Sequence, residues 1–424
     1  MNRKTGTYDT LTSAQKEAMG LLGIGTLLEY FDLFLYVHMA IFLNDLFFPK
    51  TDPRTEELLA AFAFCSTYVF RPIGALIFGY IGDTIGRKST VIITTGLMAL
   101  SCVTMANLPT YAEIGIYAAY LVTAVRVVQG MASMGEIIGA EVYVTEITKP
   151  PIQYPCVTMI AVCGVLGGTA ALAVASLVTA VGFNWRAAFW FGVTVATIGG
   201  AARTRLRETK DFIHAKIKIK DKIKQGHNHK AKVNRITAVA LFFIHSGWPI
   251  CFYFAYIYAA NILKSKFGLS SYEIIQQNFY VSVIQLLGWL FVGLLSYKIS
   301  PLRIAKIRLG IFVVFLLISP YFFKQISSSL DILFLQGFIV VFGMMGIPAI
   351  PIFYKHLPIL KRFTYASFTY ALSRSLVYVI TSFGMVYMGR FFGDWGMLVA
   401  MMPMAVVFFY SLQHFAALEK KLRQ

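Results

Sequence analysis

Charge is scarce in this 424-residue chain, and acid is scarcer still: Asp, Glu, Lys and Arg make 14% of the residues, with 20 acids against 38 Lys and Arg. The 57% hydrophobic content exceeds the roughly 45–50% of soluble globular domains, which excludes a water-soluble enzyme and puts the chain in a bilayer. Cysteine is sparse too. Cys65, Cys102, Cys156, Cys163 and Cys251 are scattered through apolar stretches without metal-ligand spacing, so they read as small buried hydrophobes and no metal is implied. H-E-x-x-H, G-x-S-x-G and paired acids with metal ligands are all missing, so nothing argues for a membrane-embedded enzyme and no cofactor is implied. The first apolar run is too long for a signal-peptide core and has no small-residue cleavage site, so no processing is expected. The last run is followed directly by "HFAALEKKLRQ", so no coiled-coil tail is expected.

What is present is length. Gly, Pro and charge clusters cut the sequence into twelve apolar stretches of the size that crosses a membrane as a helix: 18–43, 58–81, 90–108, 113–138, 156–181, 187–203, 236–260, 276–297, 307–323, 331–354, 364–389 and 393–415. Lys and Arg gather in the two tails and the even-numbered loops, with Lys298, Arg303, Lys306 and Arg308 assigned to the 8–9 loop, while the first loop, "NDLFFPKTDPRTEE", is net acidic. The positive-inside rule then predicts cytoplasmic termini, and it explains the +18 net charge as topology rather than nucleic-acid binding. Six stretches precede the longest hydrophilic segment and six follow. The expected organisation is an all-α membrane protein with a six-helix bundle at 1–203, a basic cytoplasmic linker at 204–235 and a second six-helix bundle at 236–424. Ile and Lys alternate from Lys216 to Lys224, which suits a solvated linker or a lipid-surface segment; His214, His227 and His229 read as solvated.

Against this background the internal charges stand out. Glu29 and Asp32 sit three apart near the centre of the first stretch, on one helical face, where a charge costs about 2.5–3.5 kcal/mol. Such a carboxylate either titrates, which couples transport to protons, or forms a permanent ion pair. Asp32 is the first choice for the proton and Glu29 for a pairing with Arg126. Arg71, Arg126 and Arg374 also fall at membrane depth, and a guanidinium fork suits a carboxylate-bearing solute; for Arg71 a structural role beside Pro72 is an equal reading. Tyr30, Tyr36, Trp248, Tyr253, Tyr256, Gln285 and Tyr370 are candidates to line a cavity, with packing or lipid contact as the plainer explanation. Gly164, Gly167 and Gly168 suggest close helix packing, and Pro348 with Pro351 suggests kinks.

After the second stretch the chain reads "RPIGALIFGYIGDTIGRKST". The series Gly79, Gly82, Asp83, Gly86, Arg87 and Lys88 resembles the signature loop of the major facilitator superfamily. "EYFD" at Glu29, "RPIG" at Arg71, "RVVQGMASMGE" from Arg126 to Glu136 and "WRAAF" at Trp185 are similar to its metabolite:proton symporter branch, which holds proline/betaine, citrate, 2-oxoglutarate and shikimate carriers. The resemblance implies twelve helices in two six-helix bundles and a cytoplasmic latch made by Asp83, Arg87 and Glu136. It departs at Thr84, where a base is usual, and at Tyr297 and Pro301, where a repeat of the loop has decayed. The implied activity is proton-coupled symport of a small carboxylate or zwitterion across a bacterial inner membrane. An exchanger, a uniporter and a transport-inactive sensor are the alternatives. The expected partners are the solute, protons and lipid, and a monomer suffices for the fold.

Overall fold

The computed structural model describes residues 10–133, 137–181, 184–203 and 233–422. Glu136, Arg3, Lys4 and the linker as far as residue 232 lie outside these, as do the side chains of Arg87 and Lys88.

Among the described residues the chain makes twelve helical passes and no strand. Span 1 is Ser13–Phe47, span 2 Pro53–Val69 resumed as Arg71–Thr84, span 3 Arg87–Ala106, span 4 Ile116–Ala132 resumed as Ile137–Ile147, span 5 Gln153–Val181 and span 6 Trp185–Arg203. Span 7 is Arg235–Phe252, carried through a π-helical turn, Tyr253–Tyr258, into Ala259–Phe267. Span 8 is Ser271–Leu295, span 9 Pro301–Gln325, span 10 Ser329–Phe342 and Ile350–Lys355, span 11 Ile359–Phe392 and span 12 Gly396–Lys421.

Local chemistry sets the ends. Thr12, Ser270 and Ser328 each form a reciprocal capping box with the residue three positions on, satisfying backbone N–H groups that the first helical turn leaves open. Gly268, at φ +66°, takes the left-handed conformation that stops span 7. In the 3–4 connection the Thr110 backbone N–H holds the Glu113 carboxyl below its usual range, with lesser help from the Thr110 hydroxyl and Arg186.

Seven of the described helices are long and apolar enough to cross a membrane. The outer surface matches. Spans 3, 6, 9 and 12 expose Leu100, Phe191, Leu317 and Tyr410, an apolar surface that lipid covers and water would not tolerate. Helix pairs close tightly where glycine allows it. A Cβ on Gly167 of span 5 would lie 2.1 Å from the Leu27 carbonyl oxygen of span 1, so the two backbones touch there. We expect Gly167→Ala to cost at least about 1–3 kcal/mol through overpacking, read as a lower thermal midpoint in detergent, while Gly96→Ala, with nothing within 4 Å, leaves it unchanged.

Span 10 breaks between Phe342 and Ile350, where the sequence places Pro348, and a non-helical backbone at that depth needs internal hydrogen-bond partners. Arg308 supplies them: its guanidinium donates to the carbonyls of Val341 at 2.6 Å, Ile347 at 3.3 Å and Gly343 at 3.4 Å. The sequence reading counts Arg308 among the exposed bases of the 8–9 loop. It is instead 6% exposed inside span 9, because the helix starts at Pro301 and carries it two turns into the bundle.

Candidate functional site

A cavity of about 100 Å³ lies between the first six spans and the last six. Its walls are mostly aromatic. Tyr30, Phe34 and His38 come from span 1, Trp248, Phe252 and Tyr256 from span 7 and Trp289 from span 8. Phe34 and Phe252 meet across the halves at 5.5 Å between centroids, and within the second half Trp248 meets Trp289 edge-on at 5.1 Å. Into this apolar space project a cation, Arg374 of span 11, an acid, Glu141 of span 4, and the amide of Gln285, which accepts from the Tyr256 hydroxyl at 2.8 Å.

Arg374 is held in place rather than neutralised. Its guanidinium carbon stacks 3.2 Å from the Tyr370 ring centroid, and the Tyr370 hydroxyl shares a 2.9 Å hydrogen bond with that of Tyr30, tying span 11 to span 1. Stacking fixes the guanidinium plane but satisfies none of its in-plane donors. Arg374 is 8% exposed, and its Nη1 has no hydrogen-bond partner among the described residues.

Glu141 faces the same cavity and is 4% exposed. Tyr354 of span 10 donates its hydroxyl to the Glu141 carboxylate at 2.8 Å. The Tyr354 oxygen is also 3.5 Å from His245 Nε2, and His245 Nδ1 is 3.2 Å from the Thr369 hydroxyl of span 11.

At the end of the bundle holding the 2–3, 4–5 and 10–11 connections, two further carboxylates of the first half grip the second. Asp83 accepts from the backbone N–H of Thr364 at 2.9 Å and from its hydroxyl at 2.5 Å. Glu146 accepts from Arg362 at 3.3 Å, with both side chains buried. Gly79 and Gly82 let this contact form: a Cβ at 82 would lie 2.5 Å from the Phe363 ring. Gly86, at φ 152°, takes the turn before span 3.

Glu29, Asp32, Tyr36, Arg71 and Arg126 form a second polar cluster inside the first half, and neither they nor Tyr253 of span 7 line the cavity. Arg126 stacks 4.2 Å over Tyr36 and donates to Gln129 Oε1 at 2.5 Å, while Gln129 donates to the backbone carbonyl of Asp32 at 3.2 Å. The Asp32 carboxylate lies beside Cys102 of span 3, and a Cβ on Gly192 of span 6 would lie 2.5 Å from its Oδ1. Glu29, one turn earlier on span 1, is 3% exposed. Arg71 stacks 4.2 Å over Tyr68, and that ring packs 4.3 Å from Tyr378 of span 11.

So the structure brings Tyr30, Gln285 and Arg374 together at one cavity, and gathers Asp32 and Arg126 behind it. Sequence reasoning passed over Glu141, Glu146, His245, Tyr354 and Arg362. The signal for Glu141 was available, since "IIGAEVYV" is an apolar run with one acid in it, as costly as the two in span 1.

The sequence profile of the Major Facilitator Superfamily matches residues 22–359. The proline/betaine transporter of Escherichia coli (strain K12) is 26% identical over 341 residues, which are 75% of this chain and 66% of that protein. The inner membrane metabolite transport protein YhjE of the same strain is 32% identical over 263 residues, 59% of each chain. Alignments thus span about half to two thirds of the curated relatives' length. Among solved structures, the proton:xylose symporter XylE bound to 6-bromo-6-deoxy-D-glucose superposes with a TM-score of 0.77 at 15% identity, covering 94% of this chain and 96% of that one. The human organic anion transporter MFSD10 superposes at 0.67 and 14% identity, covering 94% of this chain and 99% of that one. At such identities the likeness concerns the fold, which is the twelve-helix architecture described above. By the extent of the profile match, the chain belongs to the major facilitator superfamily.

Proposed function

We propose that the protein is a secondary carrier of the bacterial inner membrane that imports a small carboxylate or zwitterion with protons, by alternating access of two bundles, 1–203 and 236–424, about the cavity between them. The observation that carries this reading is Arg374: a buried guanidinium with an open Nη1, stacked on Tyr370 inside an aromatic chamber, suits a carboxylate with a compact apolar body. Tyr30 and Gln285 frame the same solute. The names of relatives, proline/betaine and metabolite transporters, support the solute class. Asp32 with Glu29 forms the proton-coupling group, partnered by Arg126 rather than by the solute. Both termini and the linker at 204–235 face the cytoplasm, so the contacts of Asp83 and Glu146 close the inner side.

The test is uptake into proteoliposomes loaded with a pH dye, under an inward proton gradient, with proline, betaine, citrate, 2-oxoglutarate and shikimate offered in turn. Internal acidification that depends on one of them supports symport and names the solute. Folded protein that is silent to all five overturns the reading in favour of a sensor or another solute. The closed inner side carries its own prediction. Removing one member of a buried ion pair costs about 3–5 kcal/mol, so Glu146→Ala is expected to raise hydrogen exchange of the backbone around Phe363 and Thr364 at least about tenfold.

A further inference from the structure

Three carboxylates of the first half hold donors of the second: Asp83 on Thr364, Glu146 on Arg362 and Glu141 on Tyr354. Opening that end of the bundle breaks all three. Only Glu141 also lines the cavity, on the same helix as Glu146 and five residues before it. We propose that Glu141 is the residue through which an occupied cavity releases the closed end: a cationic group on the solute takes the Glu141 carboxylate away from Tyr354. This rests on the carrier reading above and gives the solute a positive group.

The geometry contains both states of such a switch. Tyr354 has one proton to donate, and two acceptors flank it, the Glu141 carboxylate at 2.8 Å and His245 Nε2 at 3.5 Å. With Glu141 engaged by a cation, the hydroxyl turns to His245, whose Nδ1 is already seated on Thr369 of span 11, and the bond joining spans 4 and 10 is gone. No buried donor is orphaned by the exchange, so the cost of parting is low once the solute is in place. Arg374 supplies the second pole. It reaches the same cavity from span 11 with Nη1 open, and an aromatic lining that includes Trp248 and Tyr256 suits an alkylated ammonium. An anion at Arg374 alone leaves Glu141 on Tyr354 and the end closed. A zwitterion engages both.

Three probes of nearly one shape separate the poles: betaine, which carries both charges, choline, which keeps the trimethylammonium, and 3,3-dimethylbutanoate, the uncharged-tail isostere that keeps the carboxylate. The intact protein in lipid nanodiscs is followed by the fluorescence of Trp248 and Trp289, which reports binding, and by hydrogen exchange of residues 137–147 and 350–364, which reports release. Betaine and choline are expected to speed exchange in both segments several-fold and 3,3-dimethylbutanoate to leave it unchanged. Glu141→Gln, which keeps an oxygen for Tyr354, loses the response to choline. Tyr354→Phe exchanges fast without any probe. The proposal is overturned if 3,3-dimethylbutanoate speeds exchange as betaine does, if Glu141→Gln still responds to choline, or if Tyr354→Phe stays closed. Quenching by 3,3-dimethylbutanoate alone overturns it and leaves a carboxylate carrier standing. Fluorescence silent to all three probes overturns this inference, and uptake of citrate, 2-oxoglutarate or shikimate in the proteoliposome assay would leave the carrier reading standing.

Discussion

Arg374→Ala is expected to abolish measurable uptake, and Arg374→Lys to lower it by about ten- to a hundredfold, mainly through KM. Truncating a buried charge that meets an opposite charge costs about 2–5 kcal/mol, or roughly thirty- to several-thousandfold in affinity. Lysine keeps the charge but neither the fork nor the flat face that lies 3.2 Å from the Tyr370 ring centroid, so it regains only part of the loss. Tyr370→Phe should preserve that stacking and break the hydroxyl contact with Tyr30, giving a smaller defect than either change at 374. Initial-rate uptake, with thermal midpoints to establish folding, decides it. Normal transport by Arg374→Lys would sink the bidentate contact.

The span pattern was legible because a membrane asks for one thing repeatedly, an apolar run of sufficient length, and each run can be judged alone. The contacts between runs were not. Glu146 meets Arg362 across 216 positions of sequence, and no local periodicity brings that pair together. The signature loop was readable as a tight turn, yet the partner of Asp83 is Thr364, whose backbone N–H carries no sequence signal at all. Arg308 misled for a related reason: it follows Arg303 and Lys306 near a helix start, and only the break in span 10 explains its burial. The break itself was visible in Pro348. Where a single residue type has a single physical consequence, as with proline in span 10 or glycine at 167, the sequence speaks plainly; where a charge has several candidate partners, only the packing chooses.

Asp32→Asn is expected to separate coupling from translocation. The substitution keeps shape and removes the titrating proton, so the carrier behaves as though always loaded. Asp32 lies outside the cavity lining, between Cys102, Gly192 and the Gln129–Arg126 pair, so solute binding should survive almost unchanged. What is lost is the drive. At one proton per solute, each pH unit of gradient is worth about 1.4 kcal/mol, a tenfold accumulation, and that ratio should fall to about one. Exchange of labelled for unlabelled solute never needs the proton to leave, so counterflow should continue at a rate comparable with the parent protein. Span 1 offers the physical link, since Tyr30, two residues before Asp32 on the same helix, is hydrogen-bonded to Tyr370, and a tilt of the helix forced by a change of charge at 32 moves that contact too. The measurement is the ratio of gradient-driven accumulation to counterflow in one preparation of proteoliposomes, which cancels differences in yield. Accumulation retained at the parent level would move the proton from Asp32 to Glu29 or Glu141; loss of both activities together would make Asp32 part of the packing instead, fixed by its contacts with Cys102 and Gly192.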